Sequence, residues 1–131
     1  MLAVIVAIQT VITFATVAAG TNSTIDQPRQ VIVRTAPEWQ ALWKTHDPAA
    51  TAPSVDFTRY AVVGVFLGTR PTAGFAVTIT SIKQDSGRAV VEYVERAPGP
   101  GGMTAQVLTS PFHLVRVPHD IGTIEFKKVA R

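Results

Sequence analysis

Tyr60-Ala61-Val62-Val63-Gly64-Val65-Phe66-Leu67, then the turn Gly68-Thr69-Arg70-Pro71-Thr72-Ala73-Gly74, then Phe75-Ala76-Val77-Thr78-Ile79-Thr80, is the stretch that decides the fold. The first part is apolar throughout, rich in β-branched residues and stopped by glycine and proline, which predicts a strand buried on both faces. The last part alternates. Phe75, Val77 and Ile79 fall on one side and Ala76, Thr78 and Thr80 on the other, as in a strand with one wet face. The turn between them is a stiff loop held up by a sheet, a usual place for recognition.

Downstream, Lys83-Gln84-Asp85-Ser86-Gly87-Arg88 carries a hairpin signal and Ala89 to Arg96 reads as the next strand. Ala97-Pro98-Gly99-Pro100-Gly101-Gly102 forms a second exposed loop, and Met103 to Thr109 predicts a further strand. Ser110-Pro111 breaks the chain before Phe112 to Val117, and Pro118 to Gly122 turn it into a final strand, Thr123 to Lys127. Upstream, Gln30 to Arg34 is a short strand. Thr35 and Glu38 stand as a capping box with Pro37 in the first turn, so a helix opens here, and Asp47-Pro48 closes it. Trp39, Leu42, Trp43 and His46 make one stripe on that helix, an aromatic anchor against a sheet.

At the start, the residues from Met1 to Ile8 are apolar and are read as a signal-like remnant, although no lysine or arginine precedes them. Val11 to Val17 predicts a strand ended by Gly20-Thr21-Asn22-Ser23. The expected fold is therefore mainly β, bordering on α+β: an antiparallel β-sandwich or partly open barrel of seven to eight strands with one packed α-helix. Residues 9–131 form a single domain, a length of chain that can bury one core.

Of the 131 residues, 47% are hydrophobic and 16% charged, which excludes a disordered chain. The net charge is +3, but the basic residues are scattered and only Lys127-Lys128 are adjacent, so no nucleic-acid stripe forms. No stretch is apolar enough to span a bilayer. Cysteine is absent, which removes disulfides, thiolate metal sites and a cysteine nucleophile. The three histidines, His46, His113 and His119, lack the pair spacings of metal sites; His46 ends a helix and the other two are expected at the surface or an edge. No nucleophile elbow is present. Prolines in the glycine-rich loop remove donors that a phosphate cradle needs. Asp56, Glu92 and Glu95 are read as solvated. Neither catalytic residues, a metal nor a cofactor are expected.

The order of Leu67-Gly68-Thr69-Arg70-Pro71-Thr72-Ala73-Gly74-Phe75, Pro98-Gly99-Pro100-Gly101 and Thr109-Ser110-Pro111-Phe112-His113-Leu114-Val115, behind a helix with two tryptophans, resembles the protease complex subunit PrcB family. Ala73 stands where that pattern has the first of two glycines, and Phe75 where it has tyrosine. The resemblance implies a non-catalytic, exported domain, periplasmic or secreted, that binds a protein partner, a protease, and stabilises its complex. The residues expected to meet the partner are Thr69, Arg70, Pro71, Thr72, Ala73, Gly74 and Phe75 in the first loop, Pro98, Gly99, Pro100 and Gly101 in the second, and Ser110, Pro111 and Phe112 in the third. The same loop order is also similar to chagasin-type inhibitors of cysteine proteases. A third reading is a small apolar-ligand carrier with Trp39, Leu42 and Trp43 closing one mouth of a barrel.

Overall fold

In the computed structural model, which describes residues 9–101 and 104–130, the chain runs β1 (Thr10–Val11), β2 (Ala15–Gly20), β3 (Arg29–Val33), α1 (Ala36–His46), β4 (Tyr60–Phe66), β5 (Ala76–Asp85), β6 (Arg88–Arg96), β7 (Phe112–Pro118) and β8 (Thr123–Lys128). The strands form two four-stranded sheets, β1-β5-β6-β8 and β2-β7-β4-β3. The signal-like reading of residues 1–8 lies outside the described residues.

Strand β4 explains its own composition. Ala61, Val63, Val65 and Leu67 face the other sheet and join Val77, Ile79, Ile82, Val91, Val115 and Val117 in the core between the sheets. Val62 and Phe66 face the opposite way, into a second core under α1 with Trp39, Leu42, Trp43, Phe112 and Leu114. A strand between a sheet and a helix has no wet face, so every residue from Ala61 to Leu67 is buried. Gly64 is the exception in size. A Cβ there would run into the Leu114 side chain, with His113 O at 3.1 Å and Val31 Cγ2 at 3.2 Å.

The helix forms where its local signals place it. The Glu38 N–H donates to Thr35 Oγ1 at 3.3 Å, the Thr35 hydroxyl donates to Glu38 Oε1 at 2.8 Å, and the Asp47 N–H returns to Trp43 O at 2.7 Å. Trp39 and Trp43 are buried with ring centroids 5.4 Å apart. Their indole N–H groups donate to Pro53 O and Ala50 O, tying the connector that follows the helix. They anchor the helix on the outer face of its sheet, against Val62 and Phe66 rather than Val63 and Val65.

Three expectations are corrected. Val11 to Val17 is not one strand: Thr10–Val11 pairs with β5, whereas Ala15–Gly20 pairs with β7 in the other sheet. The chain changes sheets between them, with Ile12 and Phe14 packed against the inter-sheet core. The second correction concerns Ala105 to Leu108, which form no strand; they are exposed, and only Thr109 bridges to Arg70. The third is that one strand pair, β6 with β8, is parallel. Strand β7 reverses the chain in the other sheet, so β8 re-enters beside β6 running the same way.

The β5–β6 hairpin closes through Ser86 (φ 53°) and Gly87 (φ 78°), two left-handed residues in a row, as a type I′ turn demands. Among the described residues, no helix is long and apolar enough to cross a membrane. Replacing Gly64 by alanine forces β4 away from β7 and is expected to cost about 1–3 kcal/mol. It would be measured as a lower denaturant midpoint at unchanged slope.

Candidate functional site

Backbone hydrogen bonds tie the first and third predicted loops together, and the second comes close to the first by packing against Gly74. Arg70 and Thr109 exchange N–H···O bonds of 2.7 and 3.0 Å, the Ala73 N–H donates to Ala105 O at 3.1 Å, and the Thr109 hydroxyl donates to Thr72 O at 2.9 Å. The Leu67 N–H reaches Pro111 O at 2.9 Å, and the Ser110 N–H reaches Thr21 O at 2.7 Å. Gly74 (φ 96°) comes so close to the second loop that a Cβ would sit 2.9 Å from Pro98 Cγ. Position 73 is not left-handed, so alanine is accommodated in place of glycine.

Exposure then divides the candidates. Thr69, Pro71, Gly74, Gly99, Pro100 and Gly101 are exposed, while Arg70, Thr72, Ala73, Phe75 and Pro98 are half-buried. Ser110, Pro111 and Phe112 are buried, so the third loop is a strut and not a displayed edge. Phe112 packs in the helix-side core, its ring 4.2 Å from that of His46 and 6.0 Å from Phe66. The Ser110 hydroxyl donates to Ile25 O at 2.6 Å. The apolar groups that do reach solvent at this end are Val107 (53% exposed) and Leu108 (74%). Sequence reasoning missed them by placing them in a strand. A shallow cleft of about 270 Å³ lies between Leu108, Thr69 and the Thr21–Ser23 turn.

Arg70 is the clamp of this end. Its Nε and Nη2 donate to the two oxygens of Glu95 at 3.2 Å each, its Nη1 donates to Leu67 O at 3.0 Å, and its guanidinium lies 5.9 Å from the Phe75 ring centre. Lys128 Nζ is also 3.2 Å from Glu95. Burial pushes the Glu95 carboxyl up, but the hydrogen bonds and charges of Arg70 and Lys128 outweigh it and hold the group below the usual carboxylate range. Glu92 is held low by the Ser81 hydroxyl and Lys83, and Asp56 by the Thr58 hydroxyl and N–H. The three carboxylates thus have separate partners.

Two histidines are structural in a way their spacing concealed. His113 is buried, not a surface residue: it faces the other sheet, where its Nδ1 accepts the Ile79 N–H at 2.9 Å. The register of β5 with β6 shifts between Ile79 and Ser81, and the imidazole takes up the backbone donor beside that bulge. With Nδ1 accepting, the proton is on Nε2 and points to Thr16 Oγ1 at 2.8 Å. His46 Nδ1 lies 2.7 Å from Ser23 Oγ, which also accepts the Ile25 N–H at 3.1 Å. Both partners are buried, and the pair fastens the helix end to the Ser23 turn. His119 stays exposed. Among the described residues no three metal-ligating side chains converge.

Burial lowers the titration of both His113 and His46, and for His46 the neighbouring Asp47 opposes it. The unfolded chain therefore takes up protons near pH 6.5 while the folded one does not. Stability from these groups is complete above that pH and is lost as pH falls from 6.5 through the lower folded values. His113→Leu leaves the Ile79 donor unpaired and is expected to cost about 1–3 kcal/mol near neutral pH. The variant should also release one fewer proton on folding in this window, as a pH series of denaturation curves would show. Arg70→Ala should cost about 1–2 kcal/mol and speed amide exchange at Ala73 and Thr109, since the clamp is part-exposed and its loss frees the loop.

Residues 61–118 match the family pattern described as PrcB C-terminal. That span runs from β4 to β7 and contains all three loops, the Arg70 clamp and His113. No curated protein and no solved structure matches the chain.

Proposed function

From a segment that carries the PrcB C-terminal pattern, residues 61–118, we propose that this chain is a non-catalytic, exported binding domain that stabilises a protease complex by docking on its protease partner. The observation that carries the reading is the exposed end of the loop cluster. Pro71, Pro98 and Pro100 fix the shape of the two outer loops, and Val107 and Leu108 stand in solvent beside them. Backbone cross-ties and the Arg70–Glu95 clamp hold this surface before any partner arrives, so docking orders few new groups. Leu108 and Val107 supply apolar anchors, and Thr69 and Pro71 the rim.

The buried third loop weighs against the inhibitor analogy, which needs three displayed edges. The carrier reading loses its basis because both tryptophans are packed in the core and hydrogen-bonded to the connector.

The test is copurification of an extracytoplasmic protease with the tagged domain from its native cell envelope. Leu108→Asp, at a side chain that is 74% exposed, should cut recovery of that protease by at least tenfold while leaving the thermal midpoint unchanged. Recovery that is indifferent to Leu108→Asp and Pro71→Ala would remove the loop surface from the reading.

A further inference from the structure

Among the described residues strand β3 ends its sheet, with β4 on one side and no strand on the other. Among the described residues, no hydrogen bond from another element reaches the outward N–H and C=O groups of Arg29–Val33. A row of unpaired backbone groups is a template for another strand, and proteins usually blunt such edges. Here, among the described residues, no strand or loop pairs with this edge. A groove of about 430 Å³ runs along it, walled on one side by the five residues Arg29–Val33 and on the other by Glu38, Ala41, Leu42 and Thr45 of α1.

Those four helix positions form one stripe along the axis. From Glu38 to Thr45 the stripe extends about 10 Å, beside five strand residues that extend about 17 Å. Leu42 gives an apolar floor, Ala41 leaves room above it, and Ile32, 37% exposed, offers a second apolar contact on the other face of the strand. An exposed edge strand beside a helix stripe is a setting in which an extended peptide adds main-chain hydrogen bonds and sets alternate side chains into the groove.

Charge selects the occupant. Arg29 and Arg34 flank the strand, and neither makes an ion pair among the described residues. Arg34 gives one guanidinium N–H to Gly122 O at 2.7 Å. Glu38, the carboxylate of the groove, already accepts from the Thr35 hydroxyl and, at 3.4 Å, from the Arg34 N–H. A second copy of the chain pairing antiparallel through β3 would bring Arg29 of one copy beside Arg34 of the other, which like-charge repulsion opposes.

We propose that the β3–α1 groove binds an extended peptide segment of a partner protein, about five residues long, with alternate apolar side chains and acidic residues at its ends, as an added fifth strand. This site is separate from the exposed loop cluster and stands or falls independently of it.

The probe is a blocked seven-residue peptide alternating valine and threonine with a glutamate first and last, titrated into the full chain labelled with ¹⁵N. Amide shifts are expected in Arg29–Arg34 and Glu38–Thr45, and not in Pro98–Gly101 or Ala105–Leu108. Ala41→Trp fills the groove from an exposed helix position and should abolish binding while leaving the spectrum of the free protein folded. Arg29→Glu should weaken binding about fivefold, and so should lysines in place of the two glutamates. Absence of shifts at millimolar peptide, shifts confined to other elements, or equal binding of the lysine-ended peptide would each overturn the proposal. So would a dimer in sedimentation that Ala41→Trp dissolves, because the edge would then belong to a second copy.

Discussion

Strand β4 is enclosed on both sides, and the rest of the molecule is arranged around that enclosure. One face needs a second sheet and the other needs a helix, so the chain becomes a β-sandwich with the helix as a third layer. Apolar burial on both faces is the dominant favourable term, and it leaves no room for polar side chains along the run. Gly64 shows how tight the layers are. Its missing Cβ lets β7 lie flat against β4 and brings Leu114 under the helix.

Polar groups in this dry centre are met by backbone partners or, for His46, by the Ser23 hydroxyl. His113 meets the Ile79 N–H beside a bulge, and the Ser110 hydroxyl meets Ile25 O. Among the described residues, no buried side-chain polar atom lacks a partner. The Thr-x-Pro-Phe-His segment is therefore a seam. Thr109 ties the first loop, Pro111 O takes the Leu67 N–H, Phe112 fills the helix side and His113 stitches the two sheets. What it supports is the first loop, Thr69 to Gly74, against which Pro98 of the second loop packs.

How much of this was legible depended on whether the cause was local. The β4 run and the capped helix were, because two-sided burial and the Thr35–Glu38 pair leave their marks in neighbouring residues. The break between β1 and β2 was not, since a β-branched run looks the same whichever sheet it joins. Ala105 to Leu108 carry strand-like residues, yet pairing is decided by Arg70 and Ala73, some thirty positions earlier in the chain. The loops could be named from glycine and proline alone. That Phe112 turns inward could not, for it depends on where α1 places His46. The groove beside β3 was equally hidden: a sequence shows a strand but not whether anything lies next to it.

The order in which strands occupy the sheets also constrains how the molecule can be made. Strand β7 sits between β2 and β4, and β8 borders β6, so both sheets are completed by residues 112–128. While that segment is still missing from a growing chain, β4 and β6 each keep a bare flank, and the native pairs open to it are the β5–β6 hairpin, the β3–β4 pair and the short β1–β5 pair. Synthesis must therefore run well ahead of cooperative folding, and the half-made chain is the species most in need of a chaperone.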